Sequence, residues 1–239
     1  MMPAAVLTGC AAAWRVMLEM DRPTGEQMLA DERLAQEAQA SARMFGWVAP
    51  ALSVGWKRPR PMWLDERAER CQGIPVVERP TGGAVACHGS DASCGIVIPH
   101  HIGLSLRQAM TMVCESAAAL CRSFGAEEIA VFNGEAAGRL MLCLTERSPY
   151  GVYIGARKVA GFALRRYPRS WLIQGSLLVA PLPAGLAQAL PTEVRAALEA
   201  RAVSLSEAVG TPLEVHEAAA RWAKAWPAWS DAAWVGAAA

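Results

Sequence analysis

The chain has 239 residues and a formal net charge of +1, so no overall charge recruits nucleic acid or an anionic membrane. With 53% hydrophobic residues it can bury the core of one large domain, yet no stretch approaches the roughly 20 apolar residues of a membrane span. Seven cysteines without a secreted mini-domain pattern, and no Cys-x-x-Cys or His/Cys cluster, point to reduced thiols in a cytoplasm and to no metal site.

Leu7-Thr8-Gly9-Cys10 has the outline of a lipoprotein cleavage box, but no basic residue precedes it and the apolar run is short. Residues 1–13 therefore read as an extension. Trp14 to Met20 predicts a short strand. Thr24-Gly25-Glu26-Gln27 reads as a capping box that opens a helix reaching about Arg43, with Met28, Leu29, Ala35 and Ala38 apolar. Phe45 to Trp56 predicts a strand broken at Pro50, and residues 57–73 a charged, Arg- and Pro-rich surface loop. Strands follow at about 74–79, 84–88 and 93–98.

Leu104 to Phe124 is the clearest amphipathic helix: Leu106, Met110, Val113, Ala117, Leu120 and Phe124 recur at spacings of three and four, and Gly125 stands at the C-cap. Strands recur at about 128–132, 139–144, 150–154, 157–165 and 171–179. Beyond Pro181 the chain is helical, with capping boxes at Ser204–Glu207 and Thr211–Glu214. Trp222, Trp226, Trp229 and Trp234 are spaced to pack the last helix onto the sheet. Helix, strand cluster, long helix, strand cluster and terminal helices together make an α+β fold, a sheet flanked by helices. Residues 14–226 form the expected single domain, and 227–239 a terminal extension.

Two segments carry chemistry. In the first, Val76 to Gly89, Arg79 precedes Pro80-Thr81-Gly82-Gly83 and His88 closes a second short strand. Adjacent glycines allow positive φ and close backbone approach, and Arg79 offers a planar fork for a carboxylate or phosphate. The same stretch is also how an ordinary hairpin is punctuated. In the second, Tyr150–Ile154 and Lys158–Arg165 form a hairpin about Gly155, Gly161 leaves room beside the backbone, and Gln174-Gly175-Ser176 follows. Only three lysines occur among many arginines, so Lys158 stands out as a compact, titratable charge. Arg157, Arg165 and Arg166 are expected near it, lowering the pKa of a nearby lysine or cysteine.

Together the segments resemble the lipoate–protein ligase and octanoyltransferase family. Its Arg-Arg-Pro-Thr-Gly-Gly hallmark is matched by Glu78-Arg79-Pro80-Thr81-Gly82-Gly83-Ala84 and His88. Its Gly-x-Lys-Lys/Arg-Lys-Val-Ala-Gly turn is matched by Gly155 to Gly161, and its Gln-His-Gly-Ser strand by Ile173-Gln174-Gly175-Ser176. Met28-Leu-Ala-Asp31-Glu32 and Trp47-Val-Ala-Pro50-Ala-Leu-Ser53-Val-Gly55 match its N-terminal part. The resemblance implies the biotin/lipoate protein ligase catalytic-domain fold (class II synthetase-like), with a mixed, largely antiparallel central sheet. It also implies an acyl pocket in which Lys158 meets the acyl carbonyl and Arg79, Thr81, Gly82, Gly83, His88, Gly161, Gly175 and Ser176 bind substrate.

Two chemistries share that scaffold. A transferase takes an octanoyl or lipoyl group from an acyl carrier protein or lipoylated donor protein and needs no cofactor. A ligase activates free lipoate with ATP and Mg²⁺, in some cases with a separate accessory subunit. Both modify a lysine of a lipoyl-domain acceptor protein. Cys143, fifteen positions before Lys158, stands where cysteine-dependent octanoyltransferases and amidotransferases place their nucleophile, and a thiolate is a good acyl carrier. Cys87 and Cys94 are competing nucleophiles. Glu78, Ala84 and Gln174 depart from the family pattern: a glutamate at 78 would repel a phosphate and so disfavours adenylate binding, and all three leave room for a divergent substrate or for a non-catalytic lipoyl-domain binding paralogue.

Overall fold

The computed structural model describes residues 6–7, 14–65, 73–132 and 141–237. In its first half the strands are β1 (Val6–Leu7), β2 (Trp14–Glu19), β3 (Ser41–Phe45), β4 (Ala51–Gly55), β5 (Val76–Arg79), β6 (Ala86–His88) and β7 (Asp91–Pro99); helices α1 (Thr24–Glu37) and α2 (Met62–Asp65) interrupt them. The second half holds α3 (Leu106–Ser123), β8 (Ile129–Phe132), β9 (Gly151–Ile154), β10 (Arg157–Arg166) and β11 (Ser170–Leu178). Helices α4 (Ala184–Ala189), α5 (Thr192–Arg201), α6 (Leu205–Val209) and α7 (Val215–Ala237) follow.

Eight strands form the main sheet in the order β1-β2-β3-β7-β11-β10-β9-β8, antiparallel throughout except for the parallel pair β2/β3. β7 is its spine, pairing with β3 on one side and along all nine residues with β11 on the other. Every residue of β7 is buried because both faces are covered. Ala92, Cys94, Ile96 and Ile98 point toward α3 and α7, where Met110, Val113, Ala117, Trp222 and Trp226 complete the core. Val97 points the other way, onto Leu34 and Ala35 of α1. Gly95 lies on that second face because the Asp31 carboxylate fills the space a Cβ would need. A smaller sheet, β5-β4-β6, stands beside the main one, with β4/β5 parallel and β4/β6 antiparallel.

Several expectations need correction. The first helix ends at Ala38, in the left-handed region, not near Arg43. Residues 41–45 are instead a strand held between β2 and β7, because ten ladder partners outweigh a weak local preference for helix. Thr24 makes no capping bond, and the cap position is Pro23. Thr211–Glu214 precedes α7 without capping it, whereas Ser204 does accept from the Glu207 amide. Residues 141–146 are not a strand: Leu142 bridges Val85 alone, and the chain then turns through Thr145 N→Leu142 O at 3.1 Å. Residues 139–140 lie outside the described residues, as do the side chains of Trp229 and Trp234. Trp222 and Trp226 are fully buried under the sheet, as their spacing predicts.

Candidate active site

Cys143 stands on that turn. Its amide donates to Val85 O and Met141 O accepts from Val85 N, both at 2.7 Å, which fastens the turn to the chain entering β6. Glu146 folds back to accept from the Met141 amide at 2.9 Å. The other half of the site is on β10, where alternation turns Lys158 inward and Arg157 outward to Glu207. Lys158 is 1% exposed, and its ammonium donates to Cys143 O at 2.8 Å, Glu146 O at 3.1 Å and Ser148 Oγ at 2.7 Å. All three of its protons therefore hold the cysteine turn. Gly161, three residues further along β10 and past a register shift between Lys158 and Ala160, has no side chain for a physical reason. The Cys143 thiol occupies the space its Cβ would need, and Lys158 Nζ lies 3.3 Å from the same point. Thiol and ammonium are neighbours over that glycine.

Arg79, Gly82 and Gly83 arrive from β5 and its turn. Gly83 has φ +92, so the positive-φ expectation holds there, and the turn packs against Gly55 of β4. Arg79 does not offer a free fork. Nε and Nη2 donate to Gly82 O, Nη2 also to Ala84 O, and Nη1 to Ser53 O and Oγ, at 2.6 to 3.1 Å. A buried guanidinium must satisfy its five donors, and here the chain's own oxygens do so. Burial pushes the Arg79 pKa down, while the Cys143 thiol beside it works in the opposite direction.

Ser53 and Asp91, to which motif reasoning gave no role, join the two halves. Ser53 of β4 lies 2.8 Å from His88 Nε2, and Asp91, opening β7, lies 2.9 Å from His88 Nδ1. Asp91 also accepts from Ser93 Oγ, Ser176 Oγ and the Gly89 amide. Burial works to raise its pKa, but the His88 charge and the hydrogen bonds from His88, Ser176 and Ser93 hold it below the usual carboxylate value. The His88 ring stacks on Trp47 with centroids 4.0 Å apart. Gln174 accepts from Thr81 Oγ1 at 2.7 Å and donates to Asp31 at 2.6 Å, tying the Pro-Thr-Gly-Gly turn to α1 and so to the buried Arg43–Asp31 pair. The signal for Ser53 and Asp91 was available: each is a polar residue in a buried, mostly apolar strand.

These groups line one narrow cleft, whose empty space, counting the part open to solvent, is about 400 Å³. Arg79, His88, Cys143, Gly161, Gly175 and Ser176 border it; Met28, Phe45, Trp47 and Phe162 make its apolar wall. Thr81 stands behind it through Gln174, and Lys158 beneath it at Gly161. Cys94 also borders the cleft, but burial holds its thiol pKa well above the ordinary value. Cys87 packs in a separate buried apolar cluster with Leu52 and Val54. Among the described residues no cluster of His, Cys, Asp or Glu could hold a metal ion.

The family model of the lipoyl protein ligase A/B catalytic domain matches residues 24–226. The chain belongs to that family. It is 29% identical over 226 residues to the octanoyltransferase LipM of Symbiobacterium thermophilum, covering 86% of this chain and 82% of that protein. The LipM of Kyrpidia tusciae is 26% identical over 196 residues, 75% of this chain and 72% of that one. In fold, the chain is similar to a crystal structure of lipoate-protein ligase A bound with ATP, with TM-score 0.69, 16% identity, and 89% and 85% of the two chains covered. The α+β sheet flanked by helices is thus the lipoate ligase catalytic-domain fold.

In this family member the three arginines expected around Lys158 are dispersed. Arg157 pairs with Glu207, and Arg166 lies over Trp171. Arg165 lies 3.6 Å over the Trp56 ring and donates to Pro80 O. Trp56, 37% exposed, is also approached by Lys57, and Arg58 and Arg60 continue outward, so a cationic lip adjoins the Thr81–Gly83 turn. Exposed Glu78 and half-buried Glu32, the latter 3.9 Å from Arg165, dilute that charge without cancelling it. Among the described residues no helix is long and apolar enough to cross a membrane.

Proposed function

We propose that this chain is an octanoyltransferase of protein lipoylation that carries the acyl group as a thioester on Cys143. The observation supporting this most is the seating of Cys143: its thiol faces the cleft over Gly161, beside the Lys158 ammonium and in the field of Arg79. The thiolate is the reactive form in such a transfer. Cys143 sulfur attacks the thioester carbonyl of an octanoylated carrier protein, and the carrier thiol leaves. The amine of an acceptor lysine then attacks the Cys143 thioester, forming the amide and returning the thiol.

Lys158 serves as a fixed charge rather than a mobile ligand. Its three hydrogen bonds hold the cysteine turn, and its field stabilises negative charge on sulfur and on the tetrahedral oxygen. Arg79 acts from behind the wall, holding Ser53 and the Gly82–Ala84 backbone in place. The narrow apolar walls suit a saturated acyl chain, and the transferase chemistry needs no cofactor. The Trp56–Lys57–Arg58 lip gives an acidic protein a place to dock, whether acyl carrier or lipoyl-domain acceptor. Residues 14–226 act as one catalytic domain.

Intact-mass analysis tests the reading: chain plus octanoyl-carrier protein gives an octanoyl adduct on Cys143, which moves to an apo lipoyl domain. Full transfer by Cys143→Ser would sink the covalent mechanism. Lipoate-dependent ATP–pyrophosphate exchange with Mg²⁺ would instead mark a ligase. Lipoyl-domain binding with no transfer from either donor would mark a non-catalytic binding protein.

A further inference from the structure

An acyl chain and the arm that delivers it must both approach the Cys143 sulfur, and the strand registers show where each has room. Gly161 pairs with Ser176, Ser176 with Ser93 and Ser93 with Phe45, so the four form one row across β10, β11, β7 and β3. The row lies on the face that carries the thiol. Both serine hydroxyls are turned aside to Asp91, which leaves a shallow floor, and Phe45 closes it with Met28 and Trp47. Three strand spacings give about 14 Å from Gly161 to Phe45, room for an eight-carbon chain that ends at the ring. The arm must therefore leave in another direction.

Along β10 the same face presents Gly161, Ala163 and Arg165 in turn. The Pro80–Gly83 turn lies over Ala163 and is tied to Arg165 through Pro80 O. Nothing stands within 4 Å of the place a Gly82 side chain would fill, so a thin chain can pass over the turn there. Arg165 waits on its far side. Its guanidinium lies 3.6 Å over the Trp56 ring and 4.8 Å from the Tyr167 ring, and Nη1 donates to Pro80 O at 3.2 Å. Among the described residues its N–H groups make no other hydrogen bond, and Glu32 at 3.9 Å is too distant for one. Arg79, by contrast, has its donors engaged, and Arg157 is paired with Glu207. A guanidinium held flat on an indole keeps its donor edge in one plane, the form that takes two oxygens of an oxyanion. Lys57, 4.6 Å from the same Trp56 ring, adds a second charge.

We infer that Arg165, held on Trp56 and assisted by Lys57, binds the phosphodiester of the phosphopantetheine arm on which a carrier protein presents its octanoyl thioester. This rests on the transferase reading and names the group by which the donor is recognised. The lengths agree. Gly161 to Arg165 is about 13 Å along the strand. The arm from thioester sulfur to phosphorus, roughly thirteen bonds, spans about 15 Å when extended. The small excess is taken up in passing over Gly82. Glu32 beside Arg165 weakens the hold on the phosphate, which lets the spent arm leave.

Octanoyl-pantetheine and octanoyl-4′-phosphopantetheine differ only in the phosphate, so the ratio of their kcat/KM values for acylating Cys143, read by quenched intact mass, isolates its contribution. The wild-type chain is expected to prefer the phosphorylated donor about 10-fold at low salt, the preference shrinking as ionic strength rises. Arg165→Gln should bring the ratio close to one and raise KM for octanoyl-carrier protein about 10-fold. Arg147→Gln is the control: Arg147 borders a different cavity, with Phe132 and Tyr153, and its loss should leave the ratio alone. If Arg165→Gln does not fold, Arg165→Lys decides in its place, because a point charge does not replace the fork and the ratio should fall about 3-fold. A wild-type ratio near one, a ratio that survives loss of the fork, or one lost with Arg147→Gln overturns the proposal while the Cys143 adduct still stands. So does a loss confined to octanoyl-carrier protein, which would mean that Arg165 meets carboxylates on the carrier's surface. No adduct on Cys143 from any of the three donors overturns the transferase reading itself.

Discussion

Gly161→Ala probes the whole site with one methyl group. The added Cβ would overlap the Cys143 sulfur and lie 3.3 Å from Lys158 Cε and Nζ. Neither neighbour yields easily. Lys158 is held by three hydrogen bonds, and Cys143 is pinned through its amide to Val85. To regain van der Waals contact the thiol must move by about 1 Å, and the overpacking costs about 1–3 kcal/mol. For a chain of this size each kcal/mol lowers Tm by about 2–4 °C. A displacement of about 1 Å at a reacting atom costs on the order of 100-fold in rate. The expected result is therefore a folded variant, several degrees less stable, that octanoylates Cys143 about 100-fold more slowly in a single-turnover mass assay. Gly25→Ala is the control, because nothing lies within 4 Å of its Cβ position and it stands in the first turn of α1. It should be neutral or slightly stabilising. Wild-type acylation and an unchanged melt for Gly161→Ala would refute the placement of the thiol over that glycine.

Lys158→Met keeps the length of the side chain but leaves Cys143 O, Glu146 O and Ser148 Oγ without their donor; it should cost about 2–5 kcal/mol in a urea melt, and a loss under about 0.5 kcal/mol would contradict the anchoring role. The depressed pKa of Asp91 gives stability that is present above the ordinary carboxylate value near about 4 and lost as pH falls through the folded value. Denaturation midpoints should therefore drop between about pH 5 and 3, and Asp91→Asn should be less stable at pH 7 with a shallower drop; parallel curves would refute this. Asp31, whose pKa burial raises, acts in the opposite direction: its contribution is present at low pH and lost as pH rises through its folded value. Lys57→Glu with Arg58→Glu should raise KM for octanoyl-carrier protein about 10-fold at low salt, with the effect fading as ionic strength rises; a salt-independent change would count against docking at the Trp56 lip. Brief alkylation at pH 8 should label half-buried Cys143 before Cys94, Cys114 and Cys121, because burial raises all three of those thiols, Cys121 to about 12; peptide mapping reads the order.

Much of the site was legible because its chemistry is local in sequence. Gly82-Gly83 announces a turn needing freedom of φ, and Lys158 with Gly161 come together on one short strand segment after a tight turn. What those residues touch was not legible. Arg79 reads as a ligand fork in one dimension, yet its guanidinium is spent on Ser53, Gly82 and Ala84, and Ser53 is 26 positions away in sequence. The same distance hid the Ser53–His88–Asp91 hydrogen-bond chain, which exists only because β4 pairs with β6 and β6 turns directly into β7. Gln174 reads as a departure from a family pattern, and only the fold shows it joining Thr81 to Asp31.

The same division runs through the fold. Periodicity alone placed α3, whose apolar stripe recurs at spacings that no strand could use, and placed the β9–β10 hairpin about Gly155, where φ is +57. It could not end α1, because Ala38 to Arg43 holds no proline or glycine and a helix there costs little locally. The backbone switches to β3 only because β2 and β7 leave a slot whose hydrogen bonds must be filled. The sequence by itself thus determined which side chains could do acyl chemistry and which local shapes would carry them. Tertiary structure alone decided which of them meet: burial forces each polar group to find a partner, and the partners lie on strands far apart in the chain.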